Sequence, residues 1–376
     1  MCHSLGNDND TGEMGNQTVV TVVGLGLIGG SLCHAFKRAR IVVKGVSGGR
    51  TIEKAMSLQI IDEGFEYANM HDALHKSEFV FLCTPLQDIV SRLPEVFECC
   101  DRNTVISDVG STKSVICRTA EKYLPRGAYF IGGHPMAGSE KRGIENANPY
   151  LFYDAVYVLT PLTNTPKKAI KRLSALLSLV GAKIMVLEPG LHDMIAASVS
   201  HLPQLLAVLL TNHLADKNSD LYRNLAAGGF RDMTRIASSS YDVWKDIIST
   251  NIQQIGAAMN DFQKRLSHLG SILEDEHALK EVFEEARRER QTIPRYSKGF
   301  LKPLFDVRVS VKDRAGELAR ITNIIYYHDI NIKDIEIVNI REGEGGILRL
   351  GFSIQKDAQK AAEALEEVGY EVVVVD

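Results

Sequence analysis

The sequence predicts an α/β protein that changes architecture twice along its length, and three observations carry that expectation. From Val19 to about Leu187 short β-rich runs alternate with helical patterns; from Leu191 to Arg290 no β-rich run appears; residues 304–376 follow the order βαββαβ. At about 100–200 residues per domain, a chain of 376 residues forms two or three domains. Apolar residues at 45% and charged residues at 24% describe a soluble globular protein and exclude disorder over most of the chain. Forty-three Lys+Arg against 47 Asp+Glu leave a formal charge of −4. No basic block is long enough to track phosphates, so no nucleic-acid partner is expected.

In the first region the candidate strands are Val19–Val23, Ile41–Val46, Phe79–Cys83, Val105–Ser107, Tyr129–Ile131 and Val156–Leu159. Several are nearly unbroken apolar runs, as parallel strands covered on both faces require. Leu27–Arg40, Thr51–Leu58, Asp88–Phe97 and Thr112–Lys122 show helical spacing between them. This alternation predicts a parallel, doubly wound sheet with right-handed crossovers over residues 18–188. Ahead of it, residues 1–17 are polar and Gly-rich and read as a disordered tail without a signal peptide.

Residues 189–290 read as an all-helical domain, with Met194–Leu214, Leu221–Ala226, Tyr241–Leu269 and Glu274–Arg290 as its helices. The most apolar of these, Met194–Leu214, is interrupted by Ser198, Ser200, His201, Pro203, Gln204 and His213. It therefore reads as a buried helix, kinked or broken at Pro203, rather than as a membrane span. Helices this apolar need a partner, either the sheet or a second copy across a dimer interface. A linker, 291–303, contains Pro294, Gly299 and Pro303. The final unit carries strands at Phe305–Val311, Ile332–Ile340, Ile347–Ile354 and Tyr370–Val375. Helices at Gly316–His328 and Asp357–Val368 and a Gly-rich turn at Arg341–Gly346 complete a ferredoxin-like arrangement. Six cysteines (Cys2, Cys33, Cys83, Cys99, Cys100, Cys117) form no CxxC pair and no zinc-finger spacing. They read as core residues of a cytoplasmic protein without a metal.

The first chemical motif is Gly24-Leu25-Gly26-Leu27-Ile28-Gly29, directly after a β-run and opening a helix. Gly24 permits the tight turn, Gly26 lets a pyrophosphate approach the backbone, and Gly29 allows close helix–strand packing. The helix start offers free N–H groups and a positive dipole end to phosphates. A Rossmann-type dinucleotide site follows. Its second strand ends in Val46-Ser47-Gly48-Gly49-Arg50, where an NAD-preferring site usually carries a carboxylate. With no acid to repel a 2′-phosphate, Ser47 and Arg50 could hold one, which leans the expectation toward NADP; otherwise Ser47 meets a plain ribose and Arg50 is a solvated helix residue. Thr84 and Pro85 after the third candidate strand, and Asp108 and Gly110 after the fourth, complete the expected cofactor set.

Beyond the dinucleotide loop lie Ser107-Asp108-Val109-Gly110-Ser111-Thr112-Lys113 and Gly132-Gly133-His134-Pro135-Met136-Ala137-Gly138-Ser139-Glu140-Lys141. Both follow strands and belong on the ligand-binding edge of an open sheet. His134 sits in a Gly-flanked loop that offers it no packing, so a functional histidine is the better reading. On the helical region, His201 alone reads as a core histidine. Arg231 and Arg235 are spaced i,i+4 and would form a carboxylate-binding fork on a helix, or salt bridges with Asp232 or Glu140.

In this order and spacing, GLGLIGGS, SDVGSTK, GGHPMAGSEKRG, SHLP and AAGGFRDMTRIASSS resemble the prephenate/arogenate dehydrogenase family of tyrosine biosynthesis, from about Val19 to Leu273. The resemblance implies oxidation of prephenate with NAD(P)⁺ and loss of CO₂ to give 4-hydroxyphenylpyruvate, or arogenate as the alternative substrate. It implies that His134 is the base and that Ser111 bonds the substrate hydroxyl and orients His134. It further implies that Arg235 is the main carboxylate-binding arginine, with His201 binding substrate and Arg231 near the pyruvyl side chain. Ser139, Glu140, Gly229 and Trp244 correspond to residues shaping or gating the pocket, and Glu140, Asp232 and Arg235 to an ionic network. The C-terminal unit, with Asp313-Arg314-Ala315-Gly316-Glu317-Leu318 and Asn331-Ile332, resembles an ACT domain. That likeness implies L-tyrosine as an effector held near Asp313, Gly316, Asn331 and Ile332, and homodimers in which ACT units pair; a dimer contact without a ligand is the plainer alternative. Two rivals remain at this level: a 3-hydroxyacid or 6-phosphogluconate type dehydrogenase, and a sensor that has lost catalysis.

Overall fold

The computed structural model describes residues 18–138, 141–217, 219–293, 304–312, 314–341 and 345–375. The tail 1–17, most of the linker, and the candidate site residues Ser139, Glu140 and Asp313 lie outside the described residues. The chain forms two compact units, Met1–Ser271 and Ile272–Asp376.

In the first unit eight strands form one sheet in the order β3-β2-β1-β4-β5-β6-β7-β8. They are β1 Val19–Val23, β2 Val42–Val46, β3 Glu63–Phe65, β4 Phe79–Leu82, β5 Val105–Asp108, β6 Tyr129–Pro135, β7 Val156–Pro161 and β8 Lys183–Val186. Strands β1 to β6 run parallel, as expected. The expectation of a wholly parallel sheet fails at β7, which pairs antiparallel with β6. Among the described residues between these strands the chain makes only a 3₁₀ turn, Ile144–Asn146. Without a crossover helix it has to return in the opposite direction. Strand β8, reached through a helix, is again parallel to β7. Neither β3 nor β8 stands out in the sequence, because both are short edge strands with little apolar patterning.

Six helices accompany this sheet: α1 Leu27–Arg38, α2 Gly49–Ser57, α3 Met70–Leu74, α4 Leu86–Cys99, α5 Ser114–Tyr123 and α6 Lys167–Leu179. Alternate residues of a strand point to opposite faces, and here they feed two cores. Val20, Val22, Phe79 and Phe81 join Leu32, Phe36, Leu173 and Leu177 from α1 and α6. Val23, Val80 and Leu82 join Ile89, Leu93, Ile116 and Cys117 from α4 and α5. The sheet is thus covered on both faces, which fixes its parallel C-terminal edge as the open one.

The helical region that follows comprises α7 Pro189–Ala196, a π-turn Ala197–His201, α8 Leu202–Ala215, α9 Asp220–Leu225, α10 Gly228–Thr234, a 3₁₀ turn Arg235–Ser238, α11 Tyr241–Thr250 and α12 Ile252–Ser271. Pro203 does not break the first of these runs: Pro189–Ala215 is helical over 27 residues. It occupies the first turn of α8, and the π-turn just before it takes up the irregularity. The expectation of a buried helix is also corrected. Only 28% of the most apolar window is buried, although its mean hydropathy of 1.6 and its length would suit a membrane span. Val199 is 63% exposed and Leu209 55%. The single helix expected over Tyr241–Leu269 divides at Asn251, whose side chain is used in the site below.

The second unit contains α13 Glu276–Thr292, β9 Phe305–Val311, α14 Glu317–Tyr327, β10 Asp334–Arg341, β11 Gly345–Phe352, α15 Gln355–Glu367 and β12 Val372–Val375. Its four strands are antiparallel in the order β10-β11-β9-β12, the ferredoxin-like arrangement the sequence predicts. Val307, Val309, Leu348, Leu350 and Phe352 pack against Ile321, Ile325, Ala361 and Leu365 of the two helices. Buried Arg349 is held by Asp306, Asp334 and Glu336 from the neighbouring strands.

Candidate active site

The glycine loop joins β1 to α1 at the open edge of the sheet. Gly24 has φ +96°, and a Cβ there would lie 2.8 Å from Thr84 and from the carbonyl carbon of Cys83. Only glycine satisfies both demands. A Cβ on Gly29 would collide with the Gly24 carbonyl oxygen, so the missing side chain permits the close helix–strand approach there, whereas Gly26 faces open space. Leu25 is buried against β2 and Leu27 and Ile28 form the first turn of α1, whose N-terminus has no side-chain cap. Buried Thr84 beside Gly24 keeps its hydroxyl without a partner, and Pro85 caps α4 next to it. Uncapped N–H groups, an open approach at Gly26 and a spare buried hydroxyl suit the pyrophosphate of a dinucleotide.

At the end of β2, Ser47 is buried, and Arg50 is an exposed cation in the first turn of α2. Asp108 departs from its expected role as a cofactor contact. It is fully buried and ion-paired to fully buried Lys113. It also accepts from Gly110 N at 2.8 Å and Gly133 N at 3.1 Å. Lys113 Nζ in turn donates to Gly133 O at 2.6 Å. The carboxylate is thus spent on joining the loop after β5 to the strand that carries His134.

His134 stands at the C-terminal end of β6. Its Nδ1 lies 2.8 Å from Nε2 of His192, and Nδ1 of His192 lies 2.9 Å from Oδ1 of Asp193. Burial, reinforced by His192, Lys113 and His201, holds the His134 pKa well below that of free imidazole, so the ring is neutral near pH 7. Ser111 lies in the neighbouring loop, half-buried, and Thr112 pins that loop to α11 through Thr250 at 2.8 Å. The sequence reading missed His192, Asp193 and Asn251. A His-Asp pair early in a helical run, with the His nine residues before a second His, was the available signal.

His201 is buried on the π-turn with Trp244 of α11 set edge-on against it, ring centroids 5.9 Å apart. Asn251 Nδ2 donates to the Asp193 carbonyl at 2.8 Å and to His201 Nδ1 at 3.2 Å. That leaves the His201 proton on Nε2, as a donor. Burial lowers its pKa to about 4, so His201 offers a neutral N–H to a ligand rather than a charge. Arg231 lies in α10 and Arg235 opens the 3₁₀ turn; both are exposed, as is Gly229. Arg231 Nε turns back to the Ala226 carbonyl at 3.1 Å. Among the described residues neither arginine is ion-paired, and no salt bridge to Asp232 is formed.

Residues 36–186 match the family model "Prephenate dehydrogenase, nucleotide-binding domain", and 188–285 match "Prephenate dehydrogenase, dimerization domain". A prephenate dehydrogenase of Bacillus subtilis is 33% identical over 95% of this chain and 98% of its own. The chain belongs to the prephenate dehydrogenase family. Among solved structures, a prephenate dehydrogenase from A. aeolicus in complex with hydroxyphenyl propionate and NAD⁺ is 31% identical. It covers 74% of this chain and 99% of that one with a TM-score of 0.68. The arogenate dehydrogenase of Synechocystis, also 31% identical, covers 73% and 99% with a TM-score of 0.66.

Proposed function

We propose that this member of the prephenate dehydrogenase family oxidises and decarboxylates prephenate to 4-hydroxyphenylpyruvate with NAD(P)⁺. The observation that carries the reading is the neutral His134 ring, bound through Nδ1 and without a partner at Nε2 among the described residues, at the same sheet edge as the glycine loop. A bound nicotinamide ring would accept the hydride from the ring carbon that bears the substrate hydroxyl. His134 Nε2 takes the hydroxyl proton as the carbonyl forms, and Ser111 bonds the same oxygen. Loss of CO₂ then leaves its electron pair in the ring, which becomes aromatic. His134 returns the proton to the phenolic oxygen. Aromatisation makes this step downhill, so the protein supplies alignment more than force. Arg235, the His201 N–H and Arg231 take the two carboxylates, with Gly229 and Trp244 shaping the pocket.

Arg235→Ala is expected to raise KM for prephenate by about tenfold to a hundredfold with a smaller change in kcat, since a charge-assisted contact contributes about 1.5–3 kcal/mol. An unchanged KM would remove Arg235 from the substrate site. Arogenate, which carries an ammonium group where prephenate has a keto oxygen, is disfavoured by the Arg231 guanidinium. Comparing kcat/KM for the two substrates tests this choice, and a preference for arogenate would reverse it.

Two finer readings concern cofactor and regulation. Arg50 at an uncapped helix start, following Ser47-Gly48-Gly49 rather than an acid directly after β2, favours NADP, although Glu66 approaches Gly49 beside it. Arg50→Ala is expected to lower kcat/KM for NADP about tenfold with little change for NAD, the loss of one charge-assisted contact; a strong NAD preference in the unaltered protein would refute the reading. The C-terminal unit reads as an ACT domain that binds L-tyrosine beside Gly316, whose φ of +88° and open surroundings leave room for a ligand at the start of α14. Asn331 and half-buried Ile332 stand at the entry to β10 nearby in the chain. Full tyrosine inhibition after deletion beyond Gly299 would refute that assignment. The exposed apolar side of Pro189–Ala215 faces a second copy in a soluble homodimer, consistent with the match to a dimerization domain.

A further inference from the structure

We infer that His192 and Asp193 act as a positioning pair that fixes His134 in its Nδ1–H tautomer and leaves Nε2 as its only basic atom. The inference rests on the reading of His134 as the base and adds what makes it one. His192 and Asp193 are almost wholly buried at the start of α7. Asp193 Oδ1 lies 2.9 Å from His192 Nδ1 and also accepts from Lys113 N at 2.7 Å; Oδ2 accepts from Ser114 N at 2.8 Å. Burial by itself would raise the Asp193 pKa. The hydrogen bonds from His192, Ser114 and Lys113 outweigh it and keep the group ionised.

A carboxylate can only accept, so the proton between Asp193 and His192 resides on His192 Nδ1. With that proton on Nδ1, the uncharged form of His192 presents a lone pair at Nε2. The 2.8 Å contact from there to His134 Nδ1 needs one proton, which must come from His134. The lone pair of His134 is thereby confined to Nε2. When His134 is protonated, the Asp193 carboxylate stabilises its charge across the His192 ring. The same aspartate holds the loop two residues beyond Ser111, and its carbonyl anchors Asn251, which fixes the tautomer of His201. One residue therefore sets both site histidines.

His192 could instead be packing alone, since its ring meets His134 edge-on at 5.1 Å between centroids. His192→Phe keeps a ring and removes the acceptor. For the pair, kcat for prephenate falls by about 10²-fold, at the low end of general-base contributions, with KM and NAD⁺ affinity unchanged. His134→Ala serves as the control. Full activity in His192→Phe beside an inactive His134→Ala overturns the pair and leaves the base in place; full activity in His134→Ala removes the base itself. Should the Phe variant fold poorly, long-range ¹H–¹⁵N spectra of histidine-labelled wild-type protein decide the matter. A His134 signal of the Nδ1–H type supports the pair, and one of the Nε2–H type overturns it.

Discussion

Replacing His134 with Ala is expected to lower kcat by about 10²–10⁴-fold, the usual contribution of a positioned general base, while NAD⁺ binding is retained. The glycine loop and His134 are on separate elements, β1–α1 and β6, so losing the imidazole leaves the cofactor cradle intact. The pH dependence of the unaltered protein follows from the same ring. Its neighbours are His192 and Asp193 from α7, Lys113 from the loop before α5, and His201 from the π-turn. Burial is the largest influence, the three cations or potential cations add to it, and Asp193 alone opposes it. The net shift is downward from 6.5, so the ring loses its base function only when acid protonates it below that value. Activity should therefore be level through neutral pH and fall on the acid side below 6.5. An acid limb centred above pH 7 would contradict this assignment of the base.

The second large effect is on stability. Asp108→Ala would leave the Lys113 ammonium buried without its ion partner, together with two backbone N–H groups from Gly110 and Gly133. Removing one member of a buried pair typically costs about 3–5 kcal/mol, which for a domain of this size lowers Tm by roughly 6–20 °C. Adding Lys113→Met should recover part of the loss, because two apolar groups in place of a buried pair are nearly neutral. Full recovery is not expected, since the two N–H groups stay unsatisfied. Differential scanning calorimetry of the single and double variants checks both points. A single variant that melts as the wild type does would show that this carboxylate is not the strut between the β5 loop and β6.

Much of this architecture is legible in the amino-acid pattern. The apolar runs that became β1, β2, β4, β5, β6 and β7 and the βαββαβ order of the second unit are local features, strong enough to read residue by residue. The reversal at β7 is not local: it follows from the pairing of β7 with β6 in the folded sheet. Helix burial is also invisible in a single chain, because Pro189–Ala215 is as apolar as a core helix yet lies mostly uncovered within one protomer. The glycine loop and His134 were readable because each puts unusual residues at a strand end. Asp108 also stands at a strand end, and the folded chain ion-pairs it with buried Lys113. His192 and Asp193 were hidden among apolar helix residues, and their role becomes visible only through the 2.8 Å contact to His134.

The central claim is that one site couples hydride removal to loss of CO₂ from prephenate. The most direct measurement supplies prephenate with each cofactor and follows reduced nicotinamide and released CO₂ together. One CO₂ for each reduced nicotinamide, with 4-hydroxyphenylpyruvate as product, is the expected result. Cofactor binding without any turnover of prephenate would contradict the account.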